Sequence, residues 1–150
     1  MHALDFFKTR EFKAVLLLQP TSPFRRKEHV EACLNLFDPS LDMVTTVYES
    51  KANPYFNLLE EDQNGFLVKS KESDFTRRQD CPPAYELNGA VYVINGMSIQ
   101  NGLISRFERV KKVEMSSQDS IDLDVPLDWK IATLILSETM KTKEEGNTSV

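Results

Sequence analysis

A chain of 150 residues that is 41% hydrophobic, 27% charged and 9% aromatic suits one domain with a real core. It excludes a collagen-like, low-complexity or wholly disordered protein. Its 18 basic and 23 acidic residues give a net charge of -5 with no dense Lys/Arg stripe, which argues against binding duplex nucleic acid.

In chain order, Leu4, Phe6, Phe7 and Phe12 in a charged background predict a short amphipathic helix running into Glu11. Lys13 to Leu18 reads as a strand whose unbroken apolar character predicts burial on both faces, as in a parallel sheet. Its run from Ala14 to Leu18 is the longest apolar stretch, at five residues. A membrane-spanning helix needs about 20. The stretch Gln19-Pro20-Thr21-Ser22-Pro23 is loop, because its prolines defeat helix and ladder alike. Thr21 or Ser22 is expected to cap the next helix, whose apolar face carries Val30, Cys33, Leu34 and Phe37. Asp38-Pro39-Ser40 stops that helix, and Met43 to Tyr48 forms a second strand. After the break at Asn53-Pro54, Phe56 to Leu59 and Phe66 to Val68 flank a turn ending in Asn64-Gly65, which marks a hairpin. Lys69 to Asp74 is polar and exposed, Ala90 to Ile94 is a buried strand, and Gly96 to Ser105 is a short helix between loops. Val110 to Met115 is a strand, and Leu127, Ile131, Leu134 and Ile135 give Pro126 to Met140 helical spacing. The polar tail 141–150 is expected to fray.

The opening Met1-His2-Ala3-Leu4-Asp5 lacks the basic-then-apolar order of a secretory signal, and two cysteines make no disulfide framework. A reducing cytoplasm is the expected location. Strands alternate with helices at both ends, around a hairpin-rich insert. That pattern is an α/β fold with an inserted arm. A ligand is expected in the crevice at the carboxyl end of a parallel strand.

Three segments offer chemistry. In the first, prolines stiffen the loop after Leu18, so Gln19 presents a donor and an acceptor at a fixed place, and Arg25 adds a cation. A rigid strand-to-helix turn explains the same residues. In the second, Arg77, Arg78 and Gln79 suit a carboxylate or phosphate, Tyr85 offers an apolar face with a polar tip, and Asn88-Gly89 permits a tight turn. A solvated arginine pair and a core tyrosine are the alternative. In the third, Asp122 and Asp124 sit at i and i+2, so an extended chain presents both carboxylates on one side, where with phosphate oxygens they would suit Mg²⁺. Alternatively, Asp124 N-caps the helix near Pro126 and Asp128 complements its dipole. His29 reads as a surface residue, Cys33 as core, and Cys81 lacks the arrangement of a nucleophile. No zinc spacing and no Walker or Rossmann glycine loop occurs.

The strings LLLQPTSPFR, RRQDCPPAYELNGAVYV and SIDLDVPLDWKIA, in this order, resemble motifs of the N-acylneuraminate cytidylyltransferase (CMP-sialic acid synthetase) family from about Val15 to about Leu136. The resemblance implies a nucleotidyltransferase, Rossmann-like fold with a mostly parallel sheet. It implies a Mg²⁺-dependent reaction in which CTP and a nine-carbon sugar acid yield the CMP-sugar and pyrophosphate. By position, Gln19 would contact the sugar, and Arg78 and Gln79 would hold the sugar acid, with Arg77 as a neighbour. Tyr85 would line the acyl pocket, Asn88 would shape its wall, and Asp122 and Asp124 would bind the metal. No residue is assigned acid, base or nucleophile. The family's hairpin arm makes a homodimer, and the insert at about 51–77 would be that arm. Family members open with a strand and a Gly/Arg/Ser/Lys-rich loop that cradles the triphosphate, and this sequence lacks that loop. A partial domain is therefore expected, with an exposed sheet edge that folds poorly alone or is buried by association. The alternatives are a non-catalytic dimerisation or sugar-acid-binding module, and a cytidylyltransferase for pseudaminic, legionaminic or 3-deoxy-octulosonic acid.

Overall fold

The structure, a computed structural model, describes residues 12–147, with side chains described as far as Met140. The expected helix before Phe12 lies outside the described residues. The strands are β1 (Ala14–Leu18), β2 (Met43–Glu49), β3 (Leu59–Glu61), β4 (Leu67–Lys69), β5 (Tyr85–Asn95) and β6 (Val110–Glu114). The helices are α1 (Lys27–Leu36), α2 (Gly96–Asn101) and α3 (Pro126–Asn147), with 3₁₀ turns at Arg78–Asp80 and Ile104–Arg106.

The β-branched run of β2 forms the middle of a four-stranded sheet ordered β1-β5-β2-β6. β2 pairs parallel with β6, whereas β5 runs antiparallel to both β1 and β2. Three strands thus point one way, and β5 between two of them makes the sheet mixed. The expected all-round burial of β1 does not occur. It is an edge strand, and Leu16, Leu17 and Leu18 are 43%, 43% and 39% exposed. Continuous apolar character marked a strand correctly but not its neighbours, because burial is decided by what packs on each face.

One face of the sheet holds a core of Cys33, Leu41, Val44, Ala90, Val91, Val93 and Met115, with Val30 and Phe37 of the α1 region packed against it. Cys33 is fully buried, and burial pushes its thiol up to about 11, so it is an inert core residue. The cap of α1 differs from expectation. Arg26 is the N-cap, and its backbone N–H donates to His29 Nδ1. Ser22, four residues upstream, keeps a buried hydroxyl with no partner among the described residues. The helix begins too late for either Thr21 or Ser22 to reach its first amides.

Between β2 and β5 the ladder is interrupted. The register jumps from Thr45↔Tyr92 to Val47↔Leu87, so Thr46 alone faces 88–91. The Val91 N–H donates to the Thr46 hydroxyl at 2.9 Å, which donates in turn to Asn88 Oδ1 at 2.7 Å. Gly89 takes φ +72° within this bulge, a left-handed conformation that glycine adopts without strain. β5 thereby extends beyond the predicted Ala90 to Ile94, and its first residues reach past the end of β1.

The predicted hairpin is present as the β3–β4 pair. Asp62 holds its turn by accepting from the N–H groups of Asn64 and Phe66. The expected helix at 96–105 divides into α2 and a 3₁₀ turn, and α3 runs on to Asn147, past Met140.

Candidate active site

At the carboxyl end of β1 the chain turns through Gln19, whose carbonyl accepts from Arg25 Nη1 at 2.7 Å. The same nitrogen donates to the Ala90 carbonyl at 3.0 Å. Arg25 is thus a strut between loop and sheet, rather than the free cation its position implied. The Gln19 amide lies directly over Gly89, where an added Cβ would meet Oε1 at 2.0 Å. Only glycine leaves that space, so the bulge fixes where Gln19 rests.

Asn88, next to Gly89, is buried at 5% exposure. Its Oδ1 accepts from Thr46 Oγ1 and, at 3.2 Å, from the Ala90 N–H. Its Nδ2 donates to Ser120 Oγ at 2.9 Å and approaches Met115 Sδ at 3.3 Å. Every polar position of the amide is engaged, so Asn88 shapes the site by joining β5 to the 116–120 turn.

That turn leads into the acidic segment. The Leu123 N–H donates to the Thr21 carbonyl at 3.0 Å, which brings Asp122 and Asp124 against the Gln19 loop. Asp122 Oδ1 accepts from the adjacent Leu123 N–H, at 3.1 Å. The expected capping role belongs to Asp128, not Asp124. Asp128 Oδ2 accepts from the N–H groups of Asp124 and Val125 at 2.9 and 2.8 Å, at the start of α3. The Asp124 carboxylate is exposed and holds no partner among the described residues. Two hard carboxylates on one short non-helical segment fit a Mg²⁺ ion that takes its remaining ligands from phosphate and water. Among the described residues, no group of three or more His, Cys, Asp and Glu side chains forms a closed metal cage. Tyr92, which sequence reasoning passed over, feels the Asp122 charge. Burial first, and that carboxylate second, raise its phenol.

A second group stands where β2 ends. A cleft of about 460 Å³ is lined by Glu49, Ser50, Asn53, Arg78, Gln79 and residues of the 81–83 loop. Arg78 Nη2 donates to the Ser50 carbonyl at 3.2 Å, which aims the guanidinium along this wall. Ser50 and Tyr48 both donate to the Glu86 carboxylate, and these bonds hold it below the usual carboxylate range. The same contact pushes the Tyr48 phenol up to about 12. Arg77 stands outside the cleft lining. It precedes the 3₁₀ turn with extended backbone, and its carbonyl accepts from the Asp80 N–H at 3.2 Å.

Tyr85 is the cross-strand partner of Glu49. Lys112 Nζ lies 3.7 Å from the centre of its ring and 2.9 Å from Glu114 Oε2. The tyrosine contact first, and Glu114 second, raise the lysine's pKa and keep it charged. Of the expected residues, Gln19, Asn88, Asp122 and Asp124 therefore gather at one end of the bulge, and Arg78, Gln79 and Tyr85 at the other. The two groups are joined by β5, on which Asn88 and Tyr85 stand three residues apart. Both stand at the carboxyl end of the parallel β2–β6 pair. Glu49 and Lys112 were missed, although a charged residue ending a buried β-branched strand is the available signal for Glu49.

No family model matches the chain. It is 34% identical over 92 residues to the CMP-N,N'-diacetyllegionaminic acid synthase of Campylobacter jejuni, covering 61% of this chain and 39% of that protein. It is 26% identical over 144 residues to an N-acylneuraminate cytidylyltransferase of Streptococcus agalactiae, covering 93% and 34%. The chain spans about half the length or less of such curated relatives, as with 57% of the post-translational flagellin modification protein B of Campylobacter coli. Its fold matches the crystal structure of the 4-diphosphocytidyl-2C-methyl-D-erythritol synthase of Anaerococcus prevotii with a TM-score of 0.56 at 17% identity, over 90% of this chain and 64% of that one. That likeness identifies the α/β nucleotidyltransferase fold. With relatives of these two kinds aligned over 61–93% of its length, the chain is similar to members of the CMP-sialic acid synthetase family.

Proposed function

We propose that this chain carries the sugar-acid and metal half of a cytidylyltransferase centre, which transfers CMP from CTP to a nine-carbon sugar acid and releases pyrophosphate. The observation that supports this best is the Asp122/Asp124 pair, in which Asp122 accepts one backbone bond and the Asp124 carboxylate holds no partner among the described residues. Asp128 relieves Asp124 of capping, and Leu123 ties the pair to the Gln19 loop. The relatives named for legionaminic acid reach 34% identity, which makes a sugar acid of that type the first substrate to test beside N-acetylneuraminate.

In this reading, the Arg78 guanidinium binds the sugar carboxylate, and the Gln19 amide fixes a sugar hydroxyl. Tyr85, held by Lys112, packs against the acyl group. The anomeric oxygen then forms a bond to the α-phosphorus of CTP. The bond from that phosphorus to the bridging oxygen breaks, pyrophosphate departs, and the hydroxyl proton passes to water. Asp122 and Asp124 would hold a Mg²⁺ ion, which would supply charge neutralisation of the phosphate oxygens. The side chains contribute position, which makes the attack nearly intramolecular. The exposed Phe66 and Leu67 of the β3–β4 hairpin, each 68% exposed, support a role for the arm in pairing two copies.

The test is pyrophosphate release from CTP, Mg²⁺ and a sugar acid, with Asp124→Ala alongside. Release that falls about 100-fold or more in the variant is the expected result. A second reading, a non-catalytic sugar-acid-binding or dimerisation module, draws on the exposed leucines of β1. A folded wild-type chain that binds a sugar acid but releases no pyrophosphate would establish that reading in place of the first.

A further inference from the structure

The cleft at the end of β2 holds a charge arrangement that the proposed reaction does not use. Glu49 and Arg78 line the same cleft, yet they form no ion pair with each other. Arg78 uses one nitrogen on the Ser50 carbonyl, and its other N–H groups remain for a ligand. The Glu49 carboxylate and the Gln79 amide have no side-chain partner among the described residues. The cleft therefore presents a cation, an acceptor-only carboxylate and an amide donor, none of which satisfies another. A ligand that complements all three carries a carboxylate, an N–H and a carbonyl.

We propose that Glu49 is a specificity residue that accepts a hydrogen bond from the N–H of an acylamino substituent, while Gln79 donates to the acyl carbonyl and Arg78 holds the sugar carboxylate. This rests on the sugar-acid reading above and deepens it. A hydroxyl in place of the acylamino group satisfies Glu49 but leaves Gln79 without its acceptor. A sugar acid lacking that substituent satisfies neither. Tyr85, directly across the ladder from Glu49, supplies the apolar surface that an acyl methyl needs. Glu49 is exposed at a strand end, so its replacement leaves the core and the β2 ladder untouched.

The experiment is a calorimetric titration with two probes, N-acetylneuraminate and the deoxy form of the same nonulosonic acid, with hydrogen replacing the acetamido group. The proteins are wild type, Glu49→Ala and Glu49→Gln. We expect wild type to favour the acetamido probe, and Glu49→Ala to weaken that probe about tenfold or more while changing the deoxy probe less than threefold. Glu49→Gln keeps an acceptor oxygen and is expected to recover part of the loss. Unchanged acetamido affinity in Glu49→Ala, or equal weakening of both probes, overturns the role of Glu49 and leaves the sugar-acid reading standing. Absence of binding by either probe to the folded wild type overturns both.

Discussion

Replacing Asn88 with alanine tests whether the bulge in β5 is the keystone of the site. The side chain makes hydrogen bonds at 2.7, 2.9 and 3.2 Å, joining β2, β5 and the turn before the acidic segment. The Thr46 and Ser120 hydroxyls each keep another partner, Val91 N–H for one and the Ser116 carbonyl for the other. They are therefore not orphaned, and the cost is the lost bonds plus a small cavity. At about 1 kcal/mol per bond and somewhat less for the cavity, the loss is about 3–4 kcal/mol. For a chain of this length that lowers the midpoint of thermal unfolding by roughly 10 °C. Urea unfolding followed by far-UV circular dichroism reads the free energy, and backbone hydrogen exchange reads where it is lost. Faster exchange is expected at Val91 and through 116–124, with α2 unaffected. A loss under about 1 kcal/mol, or one spread evenly over the sheet, would refute the assignment of Asn88 as the link between the two halves.

Three further outcomes follow from the same geometry. Gly89→Ala places a methyl 2.0 Å from Gln19 Oε1 at φ +72°. It is expected to cost about 1–2 kcal/mol and to raise the KM for the sugar acid, which steady-state kinetics would expose. Asp128→Ala removes two bonds at the start of α3. It should destabilise the chain by about 1 kcal/mol and speed amide exchange at Asp124 and Val125, and unchanged exchange there would count against the cap. Burial lowers the His29 pKa below 6.5, and the opposing pull of Asp119 is the smaller effect. The folded state then binds fewer protons than the unfolded one, so this contribution is present above pH 6.5 and is lost as pH falls through the folded value. Wild type should lose more stability between pH 7.5 and pH 5 than His29→Gln does, and parallel stability curves would disprove the assignment.

The elements nearest in sequence to their own cause were the most legible. The β-branched run of β2, the Asn64-Gly65 turn and the apolar face of α1 each follow from a pattern within ten residues. What escaped was decided by distant partners. His29 looked like a surface residue because its helix position is polar, but Arg26 and Asp119 enclose it, and its side chain is 12% exposed. Asp124 read as the cap on paper, with Asp128 only complementing the helix dipole. Helix phase settled the matter, because only Asp128 reaches back to the free amides. Glu49 is a strand-end acid like many others until the chain at 78–83 folds across it.

The interrupted ladder explains why residues so far apart in sequence meet. An uninterrupted β5 would carry its side chains past the end of β1 with strict alternation, and the Asn88 amide and Thr46 hydroxyl would compete for ladder positions. The bulge instead folds 88–91 against the single residue Thr46 and turns Gly89 towards Gln19. It also leaves the first residues of β5 to pair with the end of β2, where Tyr85 meets Glu49. One local irregularity thus sets the position of the Gln19 loop, the anchorage of the acidic segment and the pairing of Tyr85 with Glu49 beside the cleft. A residue at 89 that cannot take a positive φ should therefore disturb both groups together, whereas Glu49→Ala and Asp128→Ala should each disturb only its own. Measuring sugar-acid affinity and Mg²⁺ affinity across those three variants separates one coupled site from two independent ones. Equal and independent effects in all three would show that the bulge is a local accommodation with no hold on the site.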